Sequence, residues 1–267
     1  AMPLPSDGQV RVDSSETDKD GKPYSSRLRI RSDFHNRLFL GLAAEHDDDT
    51  QYQWSDGRLD FVSPGWHFDK LYLAWSPRGM WKQVILGNFT AGFASGLTFN
   101  DAHRFSPRGI YTDDTTSPYR QRGIAAAWSV ARWSGTIFAS DSDYPVTLPA
   151  AVTGLRSQRR IDRVYKERLI GSEASFKLWK KAQIGGIWYQ SWVDKRIDTE
   201  FRNLPNRASW SAAGLYARTE IEPLDLRGEI SHSFDAGWGC YLEATFRTQS
   251  ASLLASLRRY GTDFDNP

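Results

Sequence analysis

Cysteine is almost absent: Cys240 is the single one in 267 residues, so no intramolecular disulfide holds the fold. That scarcity suits a chain crossing an oxidising periplasm, where unpaired thiols are a liability. Long hydrophobic runs are absent too. No stretch approaches the roughly 18 apolar residues of a transmembrane helix, which excludes a helical membrane protein. Charge of one sign is also missing, since 34 Lys and Arg face 32 Asp and Glu for a net +2. A balance that even carries no whole-chain nucleic-acid signature. Ala1-Met2-Pro3-Leu4-Pro5 has neither a basic n-region nor an apolar h-region. Export is therefore an inference from the strand pattern. The apolar content of 40% and mean hydropathy of −0.55 resemble those of a soluble chain. They do not exclude a transmembrane barrel, whose strands alternate lipid-facing apolar with interior polar residues and average out polar.

Aromatic residues are plentiful: 11 Trp, 11 Tyr and 14 Phe. That exceeds what a water-soluble core of this size usually needs, and it fits the interfacial girdles of a barrel. Residues 1–24 are polar and nearly free of apolar periodicity, so they read as a tail or linker. From Ser25 onward the period is two. Leu71, Leu73 and Trp75 share a face, as do Ile124, Ala126, Trp128 and Val130, then Leu226, Gly228 and Ile230. Residues two apart share a face of a strand and no face of a helix. The pattern predicts strands at 27–34, 37–46, 66–76, 81–99, 121–132, 135–141, 167–180, 183–194, 208–221, 224–234, 237–248 and 251–260. Residues 57–63 are a further candidate. Long polar loops then fall at 47–65, 100–120, 142–166 and 195–207, all leaving one end of the meander. Several strands reach about ten residues, the length that a tilted strand needs to cross a bilayer.

The expected fold is thus all-β, an antiparallel up-and-down meander closed into an outer-membrane β-barrel of about 12 strands (10–14 allowed). The barrel domain spans 25–267. Trp66, Trp75, Trp81, Trp133, Trp179 and Trp192 fall near proposed strand ends, where two aromatic belts belong.

Particular segments are familiar as well. Leu40-Gly41-Leu42-Ala43-Ala44-Glu45-His46-Asp47 and Asp60-Phe61-Val62-Ser63-Pro64-Gly65 resemble the opening of an outer-membrane barrel family. Members of it often carry helix-hairpin-helix modules ahead of the barrel. The similarity continues through Val84-Ile85-Leu86-Gly87-Asn88-Phe89, Arg122-Gly123-Ile124-Ala125-Ala126 and Thr153-Gly154-Leu155-Arg156. Ala94-Ser95 departs from the family's Gly-Gln, no His follows Leu155, and no helix-hairpin-helix module precedes residue 25. Arg259 to Pro267 resembles an internal family segment, and Pro267 is not the terminal aromatic of such barrels, so truncation at this end stays open. The resemblance implies location and fold rather than an activity.

Chemistry-bearing residues are few. Ser231-His232-Ser233 is the one Ser–His grouping, yet adjacent strand residues point to opposite faces and cannot pair as nucleophile and base. Glu45-His46-Asp47-Asp48-Asp49 lacks the glycine and spacing of a calcium loop, and Asp113-Asp114 and Asp141-x-Asp143 are equally bare. A solvated acidic loop is the simpler account, so no metal or other cofactor is expected. Glycines at 87, 92, 96, 185 and 186 show no phosphate-loop pattern and read as sites of bends, bulges or close packing. Glu173 with Lys177, and Arg218 with Glu220, are expected to line the interior. The candidate binding residues are Arg156, Arg159, Arg160, Arg163 and Lys166, followed by Arg168. As a loop cluster they would meet phosphates or carboxylates, against the plainer alternative of a solvated connector. The apolar half of that loop, 144–152, is expected to fold back over the barrel.

The expected role is non-enzymatic: a passage or docking component of the outer membrane of a bacterium, in contact with lipid and with other envelope proteins. Nucleic acid is a weaker candidate partner. An outer-membrane hydrolase and a soluble carbohydrate-binding β-protein, its Trp stacking sugars, are the alternatives.

Overall fold

A computed structural model describes residues 9–15, 25–35, 37–47, 51–55, 58–62, 65–100, 109–112, 121–148, 159–194, 209–234, 237–248 and 250–261. The strands are β1 (Gln9–Ser15), β2 (Ser25–Phe34), β3 (Leu38–Asp47), β4 (Gln51–Ser55), β5 (Arg58–Val62), β6 (Gly65–Trp75), β7 (Trp81–Gly92) and β8 (Gly109–Tyr111). They continue as β9 (Gln121–Val130), β10 (Trp133–Leu148), β11 (Arg159–Trp179), β12 (Ala182–Val193), β13 (Ser209–Ile221), β14 (Leu224–Ser233), β15 (Gly237–Arg247) and β16 (Ser252–Tyr260). Thirteen of them follow one path, β1-β2-β3-β6-β7-β9-β10-β11-β12-β13-β14-β15-β16, with every neighbouring pair antiparallel. Short turns join β6 to β7, β9 to β10, β11 to β12 and β13 to β14 at one end. The longer connections leave the other end, as the parity of the sequence segments predicts.

The closed barrel is not formed. Among the described residues β1 pairs only with β2 and β16 only with β15, so the path ends in two free edges. All nine residues of β16 are exposed. The all-β antiparallel meander and its strand number agree with expectation, and closure does not. The physical reason is that period-two alternation fixes which face each side chain takes. Closure depends on the register between the first and last strands, which alternation does not encode.

Local departures follow from the same distinction. Within the expected 1–24 tail, Gln9–Ser15 runs in unbroken register with β2. The expected 142–166 loop is largely a ladder: Ser142 opposes Glu167, Tyr144 opposes Tyr165, and Leu148 opposes Arg159. Pro145 is accommodated where the register shifts between Tyr144 and Val146, since a bulge tolerates a residue without an N–H. Inside the expected 47–65 loop, β4 and β5 make a hairpin. The expected 195–207 loop lies outside the described residues.

The two faces of the wall are inverted relative to a water-soluble sheet. On β14, Asp225, Glu229, Ser231 and Ser233 are buried while Leu226 and Ile230 are exposed. On β15, Tyr241 and Thr245 are buried while Trp238, Leu242 and Phe246 are exposed. β12 repeats this with Tyr189 and Ser191 inside and Ile184, Trp188 and Trp192 outside. The concave side is packed by Phe89, Phe93, Phe99, Phe138 and Tyr189, with Phe99 ring centroids 5.1 Å from both Phe138 and Tyr189. Three inner glycines lie directly opposite aromatics across the ladder: Gly41 with Tyr72, Gly171 with Phe138 and Gly185 with Tyr216. Each ring covers the site a Cβ would fill, so these glycines serve close packing.

Candidate functional site: the strapped interior

β7 ends at Gly92, and the next seven residues leave the wall. Phe93 N–H donates to Phe99 O at 3.2 Å, Gly96 N–H donates to Phe93 O at 2.8 Å, and Gly92 bridges back to Asn100. Ala94 (φ 50°) and Gly96 (φ 77°) take left-handed conformations that tighten this reversal. The resulting strap crosses the concave side and meets β13 and β14, far along the path. Thr98 packs onto Gly214, where any Cβ would collide with its hydroxyl.

Glu229 fixes the strap. Its Oε2 accepts from Ser95 N–H at 2.9 Å and from Leu97 N–H at 3.2 Å, and its Oε1 accepts from Thr98 N–H at 2.7 Å. The Ser95 hydroxyl donates to Oε2 as well. Glu229 is 3% exposed. A charge buried to that degree is tolerable only when fully hydrogen-bonded, and four donors converge on it. Clustered backbone amides of this kind, here those of Ser95, Leu97 and Thr98, make an anion-binding concavity, occupied by the protein's own side chain. A contact 131 residues apart in sequence thereby spans the trough.

Between the strap and the short-turn end lies a cavity of about 800 Å³. Ala94 and Ser95 bound it on one side, and Glu173, Gln183, Arg218 and Arg227 on the other. Tyr216 donates its hydroxyl hydrogen to Glu173, and Gln183 Nε2 donates to Tyr216 Oη at 3.4 Å. Arg218 and Arg227 both reach Asp225 Oδ2, at 3.3 and 3.1 Å, and Arg227 Nε lies 3.7 Å from Glu243. Both signs of charge therefore line the interior, with the two arginines held by Asp225 and Glu243 and Glu173 held by the Tyr216 hydroxyl. Glu173 and Arg218 line it as the sequence pattern predicts, whereas Lys177 and Glu220, expected beside them, do not: Lys177 is exposed and Glu220 pairs with Lys181.

His232 lies on the outer face, stacked on Trp238 with centroids 4.3 Å apart, its Nδ1 3.1 Å from Gly237 O. Ser231 and Ser233 are buried on the opposite face, so the three do not form a nucleophile–base pair.

The basic cluster is dispersed along β11. Arg156 lies outside the described residues. Arg159 and Arg160 pair through their backbones with Leu148 and Thr147, and Arg163 falls in the same strand. Lys166 Nζ reaches Asp141 Oδ1 at 3.2 Å on the outer face, where Arg168 Nε stands 3.8 Å from Asp141 Oδ2. Sequence reasoning missed the strap and Glu229. The glycines at 92 and 96 were the available signal.

No protein-family model matches the chain, and no curated protein matches it in sequence. Among solved structures, a loop-L8 deletion mutant of OmpT, an outer membrane protein of Vibrio cholerae, aligns over 96% of this chain and 95% of its own at 10% identity and a TM-score of 0.38. OmpF of Salmonella typhi, in complex with daunomycin, aligns over 97% and 89% at 10% identity and a TM-score of 0.39. A mutant of the Rh. blastica porin aligns over 94% and 92% at 14% identity and a TM-score of 0.31.

Proposed function

We propose that the chain is a non-enzymatic, membrane-spanning wall of a bacterial outer membrane, acting as a passage or docking component whose interior is partly blocked by the 93–99 strap. One observation carries this: the outer face of β12 to β15 exposes large apolar side chains, while buried polar residues such as Glu229, Asp225 and Ser191 share the inner face with an aromatic cluster. Leu215 is 67% exposed, Leu242 57% and Trp238 59%, whereas Glu229 is 3% exposed. A continuous apolar exterior in water would be an aggregation surface, but in hydrocarbon it is the stable arrangement. A carbohydrate-binding sandwich would need a second sheet against that exterior, and none packs there among the described residues. Hydrocarbon does not tolerate unpaired strand edges, so the membrane-inserted form covers β1 and β16 with further β-structure, which favours a docking role in a larger envelope assembly. The resemblance to the family with helix-hairpin-helix modules is compatible with this and specifies no cargo.

The test is reconstitution. The chain purified in detergent should float with phosphatidylcholine vesicles and resist carbonate extraction. A chain that stays monodisperse in detergent-free buffer and does not float would contradict the proposal.

A further inference from the structure

The outer wall carries a groove that neither the strap nor the cavity explains. Register places the outward residues of β9 to β12 in level rows. Ile124, Ala139, Ile170 and Gln190 form one row, and Ala126, Ile137, Ser172 and Trp188 the next toward the short-turn end. Val130, Trp133, Phe176 and Ile184 lie lower still. Two residues nearer the long loops, Asp141 opposes Arg168 and Arg168 opposes Trp192, while Arg122 N–H donates to Ser142 Oγ at 2.8 Å and so stands at the same height. Lys166 joins them through Asp141. Ala139 is small and flanked by Ile124 and Ile170, which leaves a groove of about 690 Å³ roofed by Arg122, Arg168 and Trp192.

Lys166 and Arg168 thus pair with Asp141, and Arg122 stands at the same level, at the head of an apolar column. Arg122 and Arg168 flank β10, so their backbones stand about 10 Å apart, two strand spacings. Guanidinium groups at that separation can converge on one phosphate. Below them the mostly apolar rows, interrupted by Gln190 and Ser172, continue into the exposed band.

We propose that this groove binds the phosphate of an anionic membrane lipid, with an acyl chain lying along the Ala139 column. The inference rests on the membrane-spanning role proposed above. Arg122 and Arg168 hold the phosphate, Lys166 adds charge, and Trp192 covers the boundary between headgroup and chain. Asp141 opposes binding by neutralising part of the cluster.

The experiment is native mass spectrometry of the full chain in detergent, titrated with phosphatidic acid, phosphatidylcholine or inorganic phosphate. Phosphatidic acid should be retained selectively. The Arg122→Gln/Arg168→Gln double variant should lose roughly tenfold or more of that retention. Ala139→Leu should reduce it by filling the floor. Asp141→Asn should strengthen it, an outcome that misfolding does not produce. Equal retention by parent and double variant, no preference over phosphatidylcholine, or displacement of the lipid by an equal concentration of inorganic phosphate would each overturn the site. Flotation with pure phosphatidylcholine vesicles reports insertion separately, so loss of lipid selectivity is distinguishable from failure of the membrane reading.

Discussion

Three backbone amides and a hydroxyl converge on Glu229, and no other described acceptor serves them in its place. Truncating it leaves buried donors unsatisfied, and hydrogen bonds to a charged group contribute about 1.5–3 kcal/mol each. Glu229→Ala is expected to destabilise the chain by about 3 kcal/mol in urea unfolding from micelles, with several partners lost together. Amide exchange at Ser95, Leu97 and Thr98 should accelerate while β12 exchange stays slow; unchanged exchange at those three would mean that the strap is held otherwise. Gly185 offers a second residue-level test. A leucine there collides with the Tyr216 ring, so Gly185→Leu should destabilise by roughly 1–3 kcal/mol, the usual cost of overpacking. Adding Tyr216→Ala should recover part of that loss, and strictly additive effects would contradict the packing account.

Individual strands were largely legible because alternation is local. Arg227 and Glu229 against Leu226 and Ile230 need no partner to be recognised as two faces. The strap was not legible, since Leu97 and Phe99 continue the period set by Phe93 and hide the departure at Gly92. The β10–β11 extension was hidden differently. Asp141, Asp143 and the arginine-rich run look like solvent-exposed loop until cross-strand partners such as Asp141 and Arg168 are known. The Trp positions near the short turns were legible: Trp75, Trp81, Trp133 and Trp179 are all exposed on strands adjoining those turns, while the Trp66 side chain lies outside the described residues. A charge scan at this scale separates membrane from water. Leu215→Arg faces outward and should cost about 2–4 kcal/mol of folding into vesicles, whereas Gln183→Arg faces the cavity and should cost much less. Equal costs would remove the distinction between the faces.

The whole molecule combines an inverted wall, a strap that spans its concavity and, among the described residues, two unpaired edges. Closure could not be anticipated from alternation, and the nine exposed residues of β16 give the edge a direct structural consequence. What the wall faces is the central question, and strand β15 answers it residue by residue. Nitroxide labels placed singly at 242, 243, 244, 245 and 246, with Cys240 replaced by serine, can be read in vesicles for collisions with oxygen and with a water-soluble nickel complex. Positions 242, 244 and 246 should favour oxygen, which partitions into hydrocarbon, and positions 243 and 245 should not. A period-two oscillation with that phase is the predicted result; a flat profile, or nickel access at 242, 244 and 246, would contradict the membrane-facing wall.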